Sequence, residues 1–100
     1  MYHLYIIYSE ISDKYYVGIS SDPERRLEEH NTSDRKSYTR KHRPWSIVAL
    51  FECAKCLSEA MKIERFIKKQ KSRSLIEKIV CGESLDGKLA QLVRVPHVRD

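Results

Sequence analysis

The chain has 100 residues, of which 41% are hydrophobic and 33% are charged, and its formal net charge at pH 7 is +5. This length fits one small domain, and only three glycines and three prolines argue against a disordered chain. No apolar run approaches the length of a membrane span, and the amino terminus lacks a signal-peptide pattern, so we expect a cytoplasmic protein. The odd number of cysteines, three, fits a reducing compartment better than a disulfide framework.

The positive charge is concentrated in two segments. Residues 35–43 carry five Lys and Arg side chains and no acidic one, and residues 62–78 carry seven against two acidic ones. Clustered cations on a small domain favour a polyanionic partner, of which nucleic acid is the most common. The alternative is an ordinary solvated surface.

Two runs of aromatic and β-branched residues begin the chain, YHLYIIYS at residues 2–9 and YYVGI at residues 15–19. The polar residues 10–14 between them favour a turn, so the pattern predicts a β-hairpin. Five of the six tyrosines lie in this segment. A buried tyrosine hydroxyl needs a polar partner that leucine would not need, so these tyrosines indicate more than packing.

The rest of the chain predicts three helices and one further strand. Asp22 is a natural helix N-cap and Pro23 suits the first helical turn. The patterns predict a short helix over residues 22–31, a basic loop over 32–44 and a central third strand over 45–53. Two helices follow, over residues 57–71 and 73–80, and residues 81–100 are expected to form an irregular tail. We therefore expect an α+β domain over residues 1–80, although the sequence does not fix the pairing direction of the third strand.

Three polar side chains on the predicted helices could carry chemistry. Glu64 falls on the apolar face of its helix, where a carboxylate is costly to bury unless it is paired or holds a cation. It could pair with Lys68 four residues later, or it could bind a metal ion. Arg26 and His30 share a helix face, so Arg26 could contact a phosphate while His30 contacts a nearby water or proton. The alternative is that both side chains lie on a solvated helix face.

In their order along the chain, these residues resemble the GIY-YIG endonuclease family. The first family motif corresponds to HLY at residues 3–5, where only the tyrosine is kept, and the second corresponds to the well-kept YVG at residues 16–18. Arg26, His30 and Glu64 match the family's arginine, histidine and metal-binding glutamate. The segment SYTRKHRPWSIV also resembles a loop of the small stand-alone members, and the likeness extends over about residues 2–80.

The resemblance implies a three-stranded antiparallel sheet flanked by helices, and a metal-dependent endonuclease that hydrolyses phosphodiester bonds in DNA, whether branched, damaged or single-stranded. By this likeness Glu64 holds one Mg²⁺ or Mn²⁺ ion. Tyr16 would help to deprotonate the attacking water, and Arg26 would neutralise charge on the transition state. Tyr5 would position water or Tyr16, and His30 would accept or relay a proton.

A basic loop with one aromatic residue is a candidate for contact with the nucleic-acid backbone. Its candidate residues are Arg35, Lys36, Tyr38, Arg40, Lys41 and Arg43. Two other functions stay open, namely a nucleic-acid-binding module with weak or no cleavage, and an accessory protein that recruits a protein partner. Cys53 and Cys56 have the spacing of two zinc ligands, but a structural zinc site needs four, and simple packing is the alternative.

Overall fold

A computed structural model describes residues 1–32 and 37–96 of the chain. Four strands form one antiparallel sheet in the order β2-β1-β3-β4. The strands are β1 (Tyr2–Ser9), β2 (Lys14–Ser20), β3 (Ser46–Ala54) and β4 (Val93–Arg94). The helices are α1 (Pro23–Thr32), α2 (Ser37–Lys41), α3 (Leu57–Gln70) and α4 (Arg73–Cys81), and a 3₁₀ turn spans Gly87–Leu89. The predicted α+β class and the antiparallel pairing are confirmed.

The predicted hairpin is formed by β1 and β2. Their register pairs Ser9 with Lys14 next to the turn and Tyr5 with Gly18 near the middle of the strands. Asp13 has a positive φ of 54°, and its carboxylate accepts a 2.6 Å hydrogen bond from the Tyr8 hydroxyl. This short polar contact closes the turn that the sequence pattern predicted.

The alternation of side chains along β1 divides the interior into two cores. Leu4 and Ile6 belong to the larger core, in which α3 and α4 cover one face of the sheet. Tyr5 and Ile7 belong to a smaller core on the other face, beside Trp45. Because neighbouring residues of a strand point to opposite faces, the buried middle of β1 supplies both cores.

The helix ends agree closely with the sequence signals. The Asp22 carboxylate accepts the backbone N–H of Arg25 at 3.2 Å, and the Ser72 hydroxyl accepts that of Leu75 at 3.0 Å. Both contacts satisfy donors that the first turn of a helix leaves without a backbone partner. Lys71 ends α3 in the left-handed conformation, with φ 48°. None of the helices in the described part of the chain is both long and apolar enough to cross a membrane.

The described part of the predicted basic loop is partly helical, which corrects the prediction of a loop over residues 32–44. The helix α2 covers Ser37–Lys41, and the backbone carbonyl of Thr39 accepts the indole N–H of Trp45 at 2.8 Å. A tertiary contact with the start of the third strand therefore supports a helix that has no apolar periodicity of its own. The third strand lies antiparallel to β1 and runs from Ser46 to Ala54, one residue later than predicted.

The segment predicted to be an irregular tail adds to the domain, and the sheet has four strands rather than three. Arg94 of β4 pairs with Phe51 of β3, and the guanidinium of Arg94 donates to the carbonyl of Ile79 at 3.1 Å. Leu89 and Leu92 are buried in the larger core. A two-residue strand is too short to give a periodic signal, which is why the sequence did not reveal it.

Candidate active site

Tyr5 stands at the centre of the site and is almost fully buried, with 1% of its surface exposed. Its neighbour across the hairpin is Gly18, and a Cβ atom added at Gly18 would lie 2.5 Å from the Tyr5 hydroxyl oxygen. No real Cβ atom tolerates that distance. The glycine of the YVG motif therefore leaves the space into which the Tyr5 ring extends over β2.

The hydroxyl of Tyr5 is hydrogen-bonded to His30, whose Nε2 atom lies 2.9 Å away. His30 is fully buried near the end of α1. The pKa of Tyr5 is raised to about 12, mainly by burial; the negative charges of Tyr16 and Glu64 contribute to the rise, and the nearby Arg26 partly opposes it. Tyr5 is therefore a neutral phenol at physiological pH, and it acts through its hydrogen bonds.

Arg26 is a fixed cation beside this phenol. Its guanidinium donates to the Glu29 carboxylate at 2.6 Å, and its side chain is 23% exposed. Burial opposes the charged form of Arg26, but the hydrogen bond with Glu29 and the proximity of Tyr5 raise its pKa above the ordinary value. The same guanidinium, through its hydrogen bond, lowers the pKa of Glu29. Arg26 therefore stays charged, with one side held by Glu29 and another directed towards Tyr5.

Tyr16 is the more accessible of the two motif tyrosines. The edge of its ring faces His30, with ring centroids 4.9 Å apart, and the rings of Tyr38 and Trp45 lie at 6.2 and 6.3 Å. Within the described residues its hydroxyl makes no hydrogen bond, so the hydroxyl can reach a solvent molecule or a ligand. The ammonium group of Lys68 lies 5.1 Å from the centre of the Tyr16 ring.

Glu64 approaches the tyrosines from α3. Its carboxylate lies 3.2 Å from the Lys68 ammonium group, so the predicted ion pair is present, and its side chain is 20% exposed. Its charge also contributes to the raised pKa of Tyr5, which places it within electrostatic range of the site. Glu64 is therefore oriented by Lys68 and remains reachable from solvent.

The donor set around Glu64 suits Mg²⁺ or Mn²⁺ better than zinc. Over residues 1–32 and 37–96, no three His, Cys, Asp or Glu side chains converge into a metal cluster. Mg²⁺ is commonly held by one or two carboxylates, with water and substrate phosphates as its other ligands, so a single glutamate is compatible with it. Cys53 is buried in β3, whereas Cys56 is exposed, so the two cysteines do not share an environment.

The candidate nucleic-acid contacts fall into three groups. Arg35 and Lys36 lie outside the described residues. Tyr38, Arg40 and Lys41 are exposed on α2. Arg43 is half-buried, and its Nε–H donates to the backbone carbonyl of His30 at 3.2 Å, so it helps to hold the end of α1.

Asn31 supports the site, and the sequence analysis missed it. Its side-chain amide donates to the carbonyl of Trp45 at 3.1 Å and accepts the backbone N–H of the same residue at 2.7 Å. The Asn31 side chain thus fixes the start of β3 against the end of α1, directly beside His30. An asparagine at a helix end reads as a stop signal, and nothing in its sequence position indicates a partner fourteen residues later.

One α+β domain brings together tyrosines from a hairpin, an arginine and a histidine one turn apart on the next helix, and a glutamate on a later helix, as the resemblance to a nuclease family implies. Comparison with protein families agrees, because residues 1–78 match the family model described as the GIY-YIG catalytic domain. The chain therefore belongs to the GIY-YIG family, and the resemblance drawn from its motifs is confirmed.

Two small archaeal proteins are similar to most of the chain. UPF0213 protein HQ_3675A from Haloquadratum walsbyi is 39% identical in an alignment 80 residues long, which covers 76% of this chain and 88% of the relative. UPF0213 protein VNG_2274C from Halobacterium salinarum is 42% identical in an alignment 69 residues long, which covers 68% of this chain and 86% of the relative. Their names state no activity, so substrate and mechanism are argued from the site.

Proposed function

We propose that this protein is an endonuclease that hydrolyses phosphodiester bonds in DNA with the aid of one divalent cation. The observation that carries the proposal is the convergence of Tyr5, Tyr16, Arg26, His30 and Glu64, which come from four separate elements of the fold. The family to which the chain belongs supports the same class of reaction. The basic surface, with a net charge of +5, supports a polyanionic substrate.

Two charged side chains would act on the scissile phosphate. Glu64 would hold a Mg²⁺ or Mn²⁺ ion, which when bound polarises the phosphate and stabilises the leaving oxygen. Arg26 would neutralise the negative charge that develops on the phosphoryl oxygens. Because Glu29 already fixes its guanidinium, little reorganisation is needed when that charge forms.

The two tyrosines would have different roles because their surroundings differ. Tyr16 is half-buried and next to the Lys68 ammonium group, so its hydroxyl would orient the attacking water and take part in removing its proton. Tyr5 is buried and stays protonated, so it would hold His30 in place. His30 would accept or relay the proton that leaves the site.

The decisive experiment is a cleavage assay on labelled duplex, single-stranded and branched DNAs with Mg²⁺ or Mn²⁺. We expect the wild type to cut and Glu64→Ala and Tyr16→Phe to lose activity by at least about 10²-fold, the scale of a general acid–base contribution. Glu59→Ala is the matched control, because Glu59 lies on the same helix, pairs with Lys62 and is exposed.

Three outcomes would count against the proposal. Equal cutting by wild type and Glu64→Ala would place the activity elsewhere. No cutting by either protein, together with salt-sensitive DNA binding, would favour a nucleic-acid-binding module that does not cleave. Loss of activity in Glu59→Ala as well would mean that the substitutions act through folding rather than through the site.

A further inference from the structure

A groove lies beside Tyr16, outside the cluster around Tyr5. Its volume is about 490 Å³, and it is bounded by β2 and by the junction between α3 and α4. Its lining includes three tyrosines, four basic residues and one acidic residue: Tyr15, Tyr16, Tyr38, Lys14, Lys68, Lys71, Arg73 and Asp13. This volume is in the range of small-molecule sites, about 300–1,000 Å³, and is too small for a stacked base pair with its two backbones.

The edge position of β2 explains why consecutive tyrosines line one groove. Tyr15 and Tyr16 lie on opposite faces of the sheet, and both line the groove because β2 is the outermost strand and the groove follows its free edge. Tyr15 contacts the Tyr8 ring, with centroids 4.8 Å apart, and the guanidinium of Arg73 lies over the Tyr15 ring, 5.0 Å from its centre. The groove therefore presents aromatic surfaces on a rigid strand.

The cations of the groove are not all neutralised. Arg73 is paired with Asp13 at 2.6 Å and with Glu77 at 3.0 Å, and Lys68 is paired with Glu64. Lys14 and Lys71 have no carboxylate within ion-pair distance among residues 1–32 and 37–96. Two cations without an ion-pair contact, in a groove that is also lined by aromatic residues, match a ligand that combines an anion with a flat apolar group.

We propose that this groove binds one unpaired nucleotide of the strand that is cut, next to the scissile phosphate. Its phosphate contacts Lys14 and Lys71, and its base packs against Tyr16 and against the Arg73 guanidinium that lies over the Tyr15 ring. The inference rests on the proposed function, because Tyr16 belongs both to the groove and to the proposed catalytic cluster. It adds that the protein selects substrates in which a nucleotide can leave the double helix.

The first test removes one groove cation. Lys71→Asn deletes the charge without backbone strain, because asparagine accepts the left-handed conformation of this residue. Binding of a fluorescent single-stranded oligonucleotide is measured without divalent cations, in a Glu64→Ala background. We expect a three- to tenfold weaker affinity and a salt slope shallower by about 0.7, the loss of one phosphate contact on a single strand.

Lys69→Gln is the control, since Lys69 is an exposed cation near the same helix end and does not line the groove. Its affinity and salt slope should stay within twofold of the Glu64→Ala parent. Equal weakening by both substitutions, or weakening of duplex and single-strand binding to the same extent, would overturn the proposal, because either result describes a general basic surface.

The second test addresses the base. In the Glu64→Ala background with Tyr15 unchanged, an oligonucleotide made abasic along its central positions should bind about tenfold more weakly than its normal counterpart. In Tyr15→Leu the difference between the two oligonucleotides should become smaller but should not vanish, because Tyr16 remains, provided that urea unfolding shows a folded variant. If folded Tyr15→Leu keeps an undiminished preference for the normal oligonucleotide, the base does not bind in the groove beside Tyr15, and the proposal is refuted.

These binding tests fail separately from the cleavage test. If the wild type does not cut DNA but the Lys71 and abasic results hold, the endonuclease proposal fails and the groove remains a nucleotide site. If Glu64 proves essential for cutting but Lys71→Asn behaves like Lys69→Gln, the nuclease stands and the groove proposal is refuted.

Discussion

Replacing Gly18 with alanine tests the steric relation at the centre of the site. The added Cβ atom would lie 2.5, 2.6 and 3.0 Å from Oη, Cζ and Cε2 of Tyr5. The Tyr5 ring cannot move away easily, because it is buried and hydrogen-bonded to His30. The φ angle of Gly18 is not in the left-handed region, so the substitution adds volume without backbone strain.

The sign of the effect is set by the contact with Tyr5. At a position where alanine fits, replacing glycine stabilises a protein by about 0.4–1 kcal/mol, because the unfolded chain loses conformational freedom. Inserting a methyl group into a packed interior costs typically about 1–3 kcal/mol. We expect a net destabilisation of roughly 1–2 kcal/mol in Gly18→Ala, the sum of these opposing effects. Cleavage should also fall, because displacement of Tyr5 disturbs His30.

Urea unfolding followed by the fluorescence of Trp45 measures this cost, since Trp45 is the only tryptophan and is buried near the site. Tyr5→Leu lacks the Oη, Cζ and Cε2 atoms, so it removes the clash. In that background, Gly18→Ala should cost nothing or should stabilise the protein. A cost of Gly18→Ala that is the same in both backgrounds, or a stabilised single variant, would refute the steric explanation.

Three further predictions concern stability. Folding raises the pKa of Tyr5 from 10 to about 12. The contribution of this shift to the free energy of unfolding is therefore complete below pH 10 and is lost as the pH rises through 12. The difference in unfolding free energy between wild type and Tyr5→Phe should therefore fall by roughly 3 kcal/mol across that range, and a constant difference would contradict the burial of this phenol. Leu89→Ala should lower the free energy of unfolding, measured in urea, by about 2–5 kcal/mol, since Leu89 is 4% exposed. A change below about 0.5 kcal/mol would show that the segment around Leu89 is not part of the core. Asn31→Ala removes two hydrogen bonds to the Trp45 backbone and should cost about 1–3 kcal/mol, with a shifted Trp45 emission; an unchanged midpoint and emission would show that the start of β3 is held by other contacts.

The elements that the sequence predicted well are those whose signals are local. The hairpin follows from β-branched and aromatic runs around a polar turn, and helix α4 follows from the Ser72 cap and its apolar spacing. The relation between Arg26 and His30 follows from a four-residue helical spacing. The pair of Glu64 and Lys68 follows from the same spacing, and all of these could be read without a three-dimensional structure.

The elements that the sequence did not reveal depend on distant partners. The short helix α2 is linked to Trp45 through the carbonyl of Thr39, and β4 forms only because β3 presents a free edge. Neither segment is long enough to show a hydrophobic period. Leu89 and Leu92 are buried only when the chain has already returned to the sheet, so their place in the core depends on topology rather than on local pattern.

The two motif tyrosines show how one fold can give the same side chain two different chemistries. Tyr5 lies on an inner strand, where Gly18 leaves the space for its ring, and burial keeps it protonated. Tyr16 lies on the edge strand, beside a cation and a groove that opens to solvent. Exchange of a proton with water requires an exposed environment such as that of Tyr16. Fixing His30 requires a buried environment such as that of Tyr5. The strand order therefore favours Tyr16 as the residue that meets the substrate, and it places the groove next to the residue that would use it.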